Sequence, residues 1–137
     1  LKVDEFIQKR QENFTELTKL IKSSGLEEYY IMPKATPGSD PSWFGFLLTI
    51  RDDSALSRRA VVRGLEERKV GTRLLFAGNL SRQPAFSDVS YRVAGTLERT
   101  DKIMNDSFWI GVWPGIGLAE REYMVEALVD VTRKELR

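Results

Sequence analysis

A short apolar run passes directly into a polar loop in the stretch Gly71-Thr-Arg-Leu-Leu-Phe-Ala-Gly-Asn-Leu-Ser-Arg-Gln-Pro-Ala-Phe86. Residues 72–76 have the character of a strand, and Gly78 and Pro84 then constrain the backbone of a loop. Four side chains of this stretch carry planar groups with several donors, which suit carboxylates, phosphates and sugar hydroxyls: Arg73, Asn79, Arg82 and Gln83. A polar surface turn explains the same residues about equally well, so the stretch predicts a strand-to-loop junction with two open interpretations.

The segments before this junction alternate between helical and strand patterns. Apolar residues recur every three or four positions over residues 3–24, which predicts an amphipathic helix that ends at Gly25. Residues 32–42 are rich in proline and glycine and indicate an irregular connector. Residues 43–50 follow as a strand with apolar side chains on both faces, so we expect this strand to be central in a sheet.

The remaining segments complete an α/β pattern. A helix is predicted over residues 57–69, with Asp52, Asp53 and Ser54 as candidate caps, and a strand over residues 72–76. Further periodicities predict, in order, a helix, a strand and a helix over residues 96–105, 108–113 and 119–135. This order predicts an α/β fold of the α+β kind, a two-layer sandwich with one small sheet.

Composition narrows the possible functions. A chain of 137 residues suits one domain, and its net charge of +1 gives no reason to expect a nucleic-acid partner. No apolar run is long enough for a membrane span, and a cytoplasmic location is expected. Cysteine and histidine are absent, which removes disulfides, thiolate metal sites, a cysteine nucleophile and the commonest general base. We therefore expect no catalytic, cofactor-binding or metal-binding residue in these 137 positions.

Other candidate sites have simpler structural explanations. The basic side of the helix predicted over residues 57–69 is interrupted by Glu66 and Glu67, so a solvated face is favoured over a phosphate site. The aromatic residues of the segments 43–46 and 108–113 are favoured as core rather than as stacking surfaces. Phe76 is either the wall of a site or core, and core is again favoured.

Four separated segments together resemble one known family. They are Pro41-Ser-Trp-Phe-Gly-Phe46, the junction Gly71-Thr-Arg73 with Phe76-Ala-Gly-Asn-Leu-Ser-Arg-Gln-Pro-Ala-Phe86, Thr100-Asp-Lys-Ile-Met104, and Phe108-Trp-Ile-Gly-Val-Trp-Pro-Gly115. The set resembles the C-terminal domain of the pyridoxal-phosphate (PLP)-dependent sugar enzymes of the DegT/StrS aminotransferase family. Its Ala-Gly-Asn-Leu-x-Arg-Gln-Pro-Ala pattern is similar to that of the nucleotide-sugar 3-dehydratases of lipopolysaccharide and dideoxysugar biosynthesis. The likeness covers residues 26–128.

The resemblance implies that two domains with different roles form the complete enzyme. In this fold-type I architecture a large domain, absent here, holds PLP and carries the cofactor lysine, which is histidine in the dehydratase branch. Residues 1–25 would form a helix of the interdomain type, and residues 26–137 the small C-terminal domain that closes the site. We also expect a homodimer; in the 137-residue chain by itself, Phe6 and Ile7 of the first helix would be uncovered, and self-association would bury them again. Whether the parent holds the iron-sulfur cluster that four cysteines bind in some relatives is left open.

The resemblance also implies a role for the four polar residues of the loop. Arg73, Asn79, Arg82 and Gln83 would bind a nucleotide-linked 4-keto-6-deoxy sugar and orient it against a cofactor that the large domain holds in cis. The expected function is that of the C-terminal part of a PLP-dependent nucleotide-sugar 3-dehydratase, inactive without the large domain. Two alternatives stay open: the small domain of a sugar aminotransferase, and a non-catalytic binding domain of the same fold.

Overall fold

Helices and strands follow one another in the predicted order. In a computed structural model that describes residues 2–137, the helices are α1 (Val3–Ser23), α2 (Arg58–Glu67), α3 (Glu98–Asp106) and α4 (Leu118–Glu135). The strands are β1 (Tyr30–Ile31), β2 (Gly45–Ile50), β3 (Thr72–Leu74) and β4 (Ser107–Gly111). Each predicted helix and strand is present, whereas the two-residue strand β1 was not predicted because it is too short to show a period.

The four strands form one antiparallel sheet in the order β1-β2-β4-β3. Strand β2 pairs with β1 on one side and with β4 on the other, which confirms its predicted central position. In the register, Leu47 of β2 and Arg73 of β3 both lie opposite Trp109 of β4. Side chains that are directly opposite in an antiparallel pair point to the same face, so these three residues share one face of the sheet.

The other face of the sheet packs against helices. Phe46, Leu48, Phe108 and Ile110 alternate along β2 and β4 and are almost completely buried. They form one core with buried residues of α1, α2 and α4, namely Leu17, Ile21, Val61, Leu65, Met124, Val125, Ala127, Leu128 and Val131. Each fully buried aliphatic side chain contributes about 1.5–3 kcal/mol. The layers therefore form the predicted two-layer sandwich, but only one face of β2 is fully buried.

The helix caps differ from those predicted. Ser57, and not Asp52, Asp53 or Ser54, caps α2, because its hydroxyl accepts a hydrogen bond from the N–H of Ala60. The chain leaves β2 through a turn at Asp52 and Asp53, and the cap comes only where the helical backbone begins. Among residues 2–137, no helix combines the length and the apolar character that crossing a bilayer requires.

Helix α1 is anchored to the core by its C-terminal half. Leu17 and Ile21 are fully buried, and the buried amide of Asn13 donates to the carbonyl of Trp113 and accepts from Arg121 of α4 at 2.6 Å. Phe6, in the N-terminal half of the helix, stays exposed. The apolar stripe of α1 is thus only partly covered by the described residues.

Candidate functional site

The loop after β3 is folded back onto α3. Gly78 has a φ of +62°, and a Cβ atom at this position would lie 2.4 Å from Cγ of Met104 in α3. A side chain would therefore be unfavourable here both for its backbone conformation and for lack of space. Two 3-10 turns, Leu80–Arg82 and Pro84–Phe86, carry the chain onward.

One carboxylate of α3 organises this loop. Asp101 accepts hydrogen bonds from Nδ2 of Asn79 at 2.6 Å, and from Nε and Nη2 of Arg82 at 3.3 and 3.0 Å. The hydrogen bonds from Arg82 and Asn79 lower the pKa of Asp101 below its ordinary value, and the same pair raises the pKa of Arg82. The loop and α3 are therefore joined by a charged network that favours an ionised Asp101.

Three of the four predicted site residues belong to the loop and help to hold its shape. Asn79 is only 3% exposed, and its Oδ1 accepts from both the N–H and the hydroxyl of Ser81. The amide of Gln83 donates to the carbonyl of Ala77 at 2.6 Å. The side chain of Arg82 is 60% exposed beyond its contact with Asp101, so part of its guanidinium faces solvent. The structure brings Asn79 and Arg82 together on one carboxylate.

Arg73 lies apart from this network. It projects from β3 opposite Trp109 and is exposed, and its guanidinium makes no hydrogen bond or ion pair with any other residue of the range 2–137. Its five N–H donors are therefore available to a ligand. Grooves of about 350 and 500 Å³ meet at Arg73 and Trp109.

The aromatic residues divide between core and surface. Phe46 and Phe108 are buried, as predicted, whereas Phe44, Phe76 and Trp113 are 69%, 79% and 65% exposed, so the preference for core in the segments 43–46 and 108–113 was wrong for Phe44 and Trp113. The preference for Phe76 as core was wrong, because β3 ends at Leu74 and the N–H of Phe76 bonds to the carbonyl of Leu74 in a tight turn. Phe44 and Phe76 instead contact the ring of Trp109, at centroid distances of 4.6 and 5.8 Å.

Sequence reasoning missed the roles of Asp101 and Trp109. Asp101 lies 22 residues from Asn79 and 19 from Arg82, so no local spacing connects it with them. For Trp109 a signal was present, because it alternates with the buried Phe108 and Ile110 and must point to the opposite face. Both residues lie in segments that carried the family resemblance.

The described residues do not fit a PLP site of their own. Lys102 is the least exposed lysine in the range 2–137, and its Nζ donates to the carbonyl of Ile50 and to the carboxylates of Asp52 and Asp106. Burial lowers its pKa, but the hydrogen bonds to the two carboxylates outweigh burial and raise it. Such an amine stays protonated and cannot attack a carbonyl carbon. No group of three acidic side chains suited to a metal ion occurs in the described part of the chain.

Two curated relatives share almost half of their aligned residues with this chain. The lipopolysaccharide biosynthesis protein RfbH of Salmonella typhimurium is 48% identical over 124 residues, which are 90% of this chain and 28% of the relative. The dTDP-4-dehydro-2,6-dideoxy-D-glucose 3-dehydratase of Saccharopolyspora spinosa is 44% identical over 133 residues, 97% of this chain and 28% of that protein. The chain therefore spans less than a third of the length of either relative.

A solved structure and a family model agree with these relatives. The crystal structure of GDP-4-keto-6-deoxymannose-3-dehydratase with a trapped PLP-glutamate geminal diamine matches with a TM-score of 0.80 at 25% identity. The match covers 93% of this chain and 32% of that one, and it confirms the predicted fold. A model of the DegT/DnrJ/EryC1/StrS aminotransferase family matches residues 1–129. The chain belongs to the DegT/DnrJ/EryC1/StrS aminotransferase family.

Proposed function

We propose that this chain is the substrate-positioning C-terminal part of a PLP-dependent nucleotide-sugar 3-dehydratase acting on a 4-keto-6-deoxyhexose. The observation that carries the proposal is the pair of relatives at 48% and 44% identity, one of which is named a 3-dehydratase of a dTDP-linked sugar. The matching solved structure is likewise that of a nucleotide-sugar 3-dehydratase. Both relatives are more than three times as long as the matched region, so the large PLP-binding domain belongs to the same polypeptide in this proposal.

The residues of this chain bind and orient in the proposed reaction, and they do not make or break bonds. The chain has no histidine or cysteine, and its least exposed lysine is held by carboxylates. PLP bound elsewhere in the polypeptide would supply the electron sink for loss of the hydroxyl at C3 of the sugar. Arg73 would hold an anionic group of the substrate through paired N–H donors, which fix position as well as charge.

The loop residues divide into two roles in this proposal. Arg82 contacts the substrate with the N–H groups that Asp101 leaves free, since its side chain is more than half exposed. Asn79 and Gln83 hold the loop that presents Arg82, because their amides already bond to Asp101 and to Ala77. All four predicted residues thus serve substrate binding, two by contact and two by position.

Helix α1 would connect the small domain of residues 26–137 with the large domain. Its C-terminal half is buried against α4, while Phe6 in its N-terminal half is exposed. A continuous apolar stripe on a half-covered helix indicates a second contact surface. The large domain or a second protomer of a homodimer would cover it.

The test is a kinetic comparison in the complete open reading frame that encodes this chain. We expect turnover of a nucleotide-linked 4-keto-6-deoxyhexose, tested with the dTDP- and GDP-linked forms, to a 3-deoxy product. Arg73→Ala should lower kcat/KM about 10- to 150-fold, the loss expected for one charge-assisted contact. Its thermal midpoint should match that of Arg59→Ala, a control at an exposed arginine of α2 whose kinetics should stay normal.

Two results would contradict the proposal. Formation of an aminated sugar in the presence of an amino donor, with no 3-deoxy product, would identify a sugar aminotransferase. A lowered thermal midpoint of Arg73→Ala with unchanged kcat/KM would make Arg73 a structural residue.

A further inference from the structure

Two exposed phenylalanine rings flank a half-buried tryptophan on the open face of the sheet, beside the free guanidinium of Arg73. The ring of Trp109 is at its centre, with Phe44 tilted by 39° and Phe76 by 55° against it. Solvent exposure of two neighbouring phenylalanines is unfavourable, and such a surface marks a contact with another molecule or another part of the polypeptide. We refer to Phe44, Phe76 and Trp109 as the aromatic platform.

The platform is held in place before any ligand arrives. Nε1 of Trp109 donates to the carbonyl of Leu74 at 3.1 Å, which fixes the orientation of the indole. Gly45 leaves room for that ring, because a Cβ atom there would lie 2.0 Å from Cε3 of Trp109. Phe76 has a φ of +47°, a backbone conformation that is costly for an aromatic residue and that is typical of functional positions.

Charge distinguishes the two grooves that meet at the platform. The groove of about 350 Å³ contains Glu66, whose carboxylate accepts from the N–H and hydroxyl of Thr72. Those hydrogen bonds lower the pKa of Glu66, so the carboxylate is charged and repels phosphates. The groove of about 500 Å³ is lined by Phe44, Arg73, Phe76 and Trp109 and contains no acidic residue. An anion therefore meets an unopposed guanidinium only in the larger groove.

We propose that the aromatic platform stacks the base of a nucleoside diphosphate while Arg73 binds its phosphates in the larger groove. A planar ring matches the exposed aromatic faces, and a diphosphate matches the paired donors of Arg73. Stacking tolerates different bases, which accords with a relative named for a dTDP-linked sugar and a matching solved structure named for a GDP-linked one. This inference rests on the proposed function, because the nucleotide is the part of the proposed substrate to which the sugar is attached.

The test separates stacking from phosphate binding by calorimetric titration of the complete polypeptide with dTDP, GDP and inorganic pyrophosphate. Phe76→Leu and Trp109→Leu should weaken nucleotide binding about 5- to 150-fold, the range for one stacked base, and leave pyrophosphate binding unchanged. Arg73→Ala should weaken the binding of the nucleotides and of pyrophosphate alike. Trp109→Phe keeps a ring and should restore most of the affinity.

The control is Trp113→Leu, which removes an exposed tryptophan outside the platform and should change neither affinity. The proposal would be overturned if Phe76→Leu lost as much affinity for pyrophosphate as for the nucleotides. It would also be overturned if Phe76→Leu and Trp109→Leu leave the affinity for dTDP and GDP unchanged, because the rings would then take no part in binding the base.

The kinetic assay distinguishes this inference from the proposed function. Dehydratase turnover with an unchanged KM in Phe76→Leu would leave the proposed function intact and refute the platform. Ring-dependent nucleotide binding without turnover of any nucleotide sugar would uphold the platform and refute the dehydratase.

Discussion

Replacing Gly64 with alanine tests how closely α2 approaches α4. A Cβ atom at Gly64 would lie 2.8 Å from Cγ1 and from Cγ2 of Val131. Val131 is buried and β-branched, so its χ1 is essentially fixed in the helix and its methyl groups cannot turn away. The helices must move apart or the side chains must leave their preferred conformations.

Two opposing contributions decide the sign of the effect. Alanine is favoured over glycine in a helix interior by about 1 kcal/mol. Overpacking a well-filled core costs about 1–3 kcal/mol. The second contribution is larger, so we expect Gly64→Ala to lower the free energy of unfolding by about 1 kcal/mol, which corresponds to a fall of about 3–4 °C in Tm for a chain of this length.

The assay is urea unfolding of a double-mutant cycle with Val131→Ala. In the Val131→Ala background the clash is gone, so Gly64→Ala should become stabilising by about 1 kcal/mol. Gly71→Ala is the control, because no heavy atom lies within 4 Å of the added Cβ and its stability should change by less than about 0.5 kcal/mol. If Gly64→Ala stabilises the wild-type background by the same amount, the close approach of α2 and α4 is refuted.

Three further predictions concern the core, the loop and the cofactor. Burial raises the pKa of Tyr30 to about 12, so stability should fall between about pH 10, where tyrosine ionises in the unfolded chain, and pH 12. In urea titrations at alkaline pH, Tyr30→Phe should no longer show that fall. At neutral pH the variant should lose about 1–2 kcal/mol of the free energy of unfolding, because the hydrogen bond to Thr132 is gone. A fall that persists in Tyr30→Phe would show that another group causes it. Because the pKa of Asp101 is lowered, its stabilising effect is complete above the ordinary aspartate range near pH 4 and is lost as the pH falls below it. In Asp101→Asn the free energy of unfolding should therefore fall less steeply as the pH drops below the aspartate range. An unchanged pH dependence would contradict the network with Arg82. The 137-residue chain, mixed with PLP and desalted, should show no absorbance band between about 330 and 420 nm, and a retained band would refute a cofactor held elsewhere.

The sequence by itself determined the helices, the main strands and their layers. The stripe that ends in Leu17 and Ile21 has the period of a helix, and the alternation Phe46, Leu48, Ile50 has the period of a strand. These periods are local consequences of burial on one side of an element. The family could also be predicted, because the loop motif is long and recurs with other matched segments in a set order.

Only the tertiary structure decided how the candidate site is assembled. Asp101 joins Asn79 and Arg82 because α3 folds back over the loop, a contact between distant residues that no local spacing records. Phe76 is on the surface because β3 ends two residues before it and the chain turns. Arg73 and Trp109 share a face because the pairing of β3 with β4 sets their register, and register depends on both strands at once.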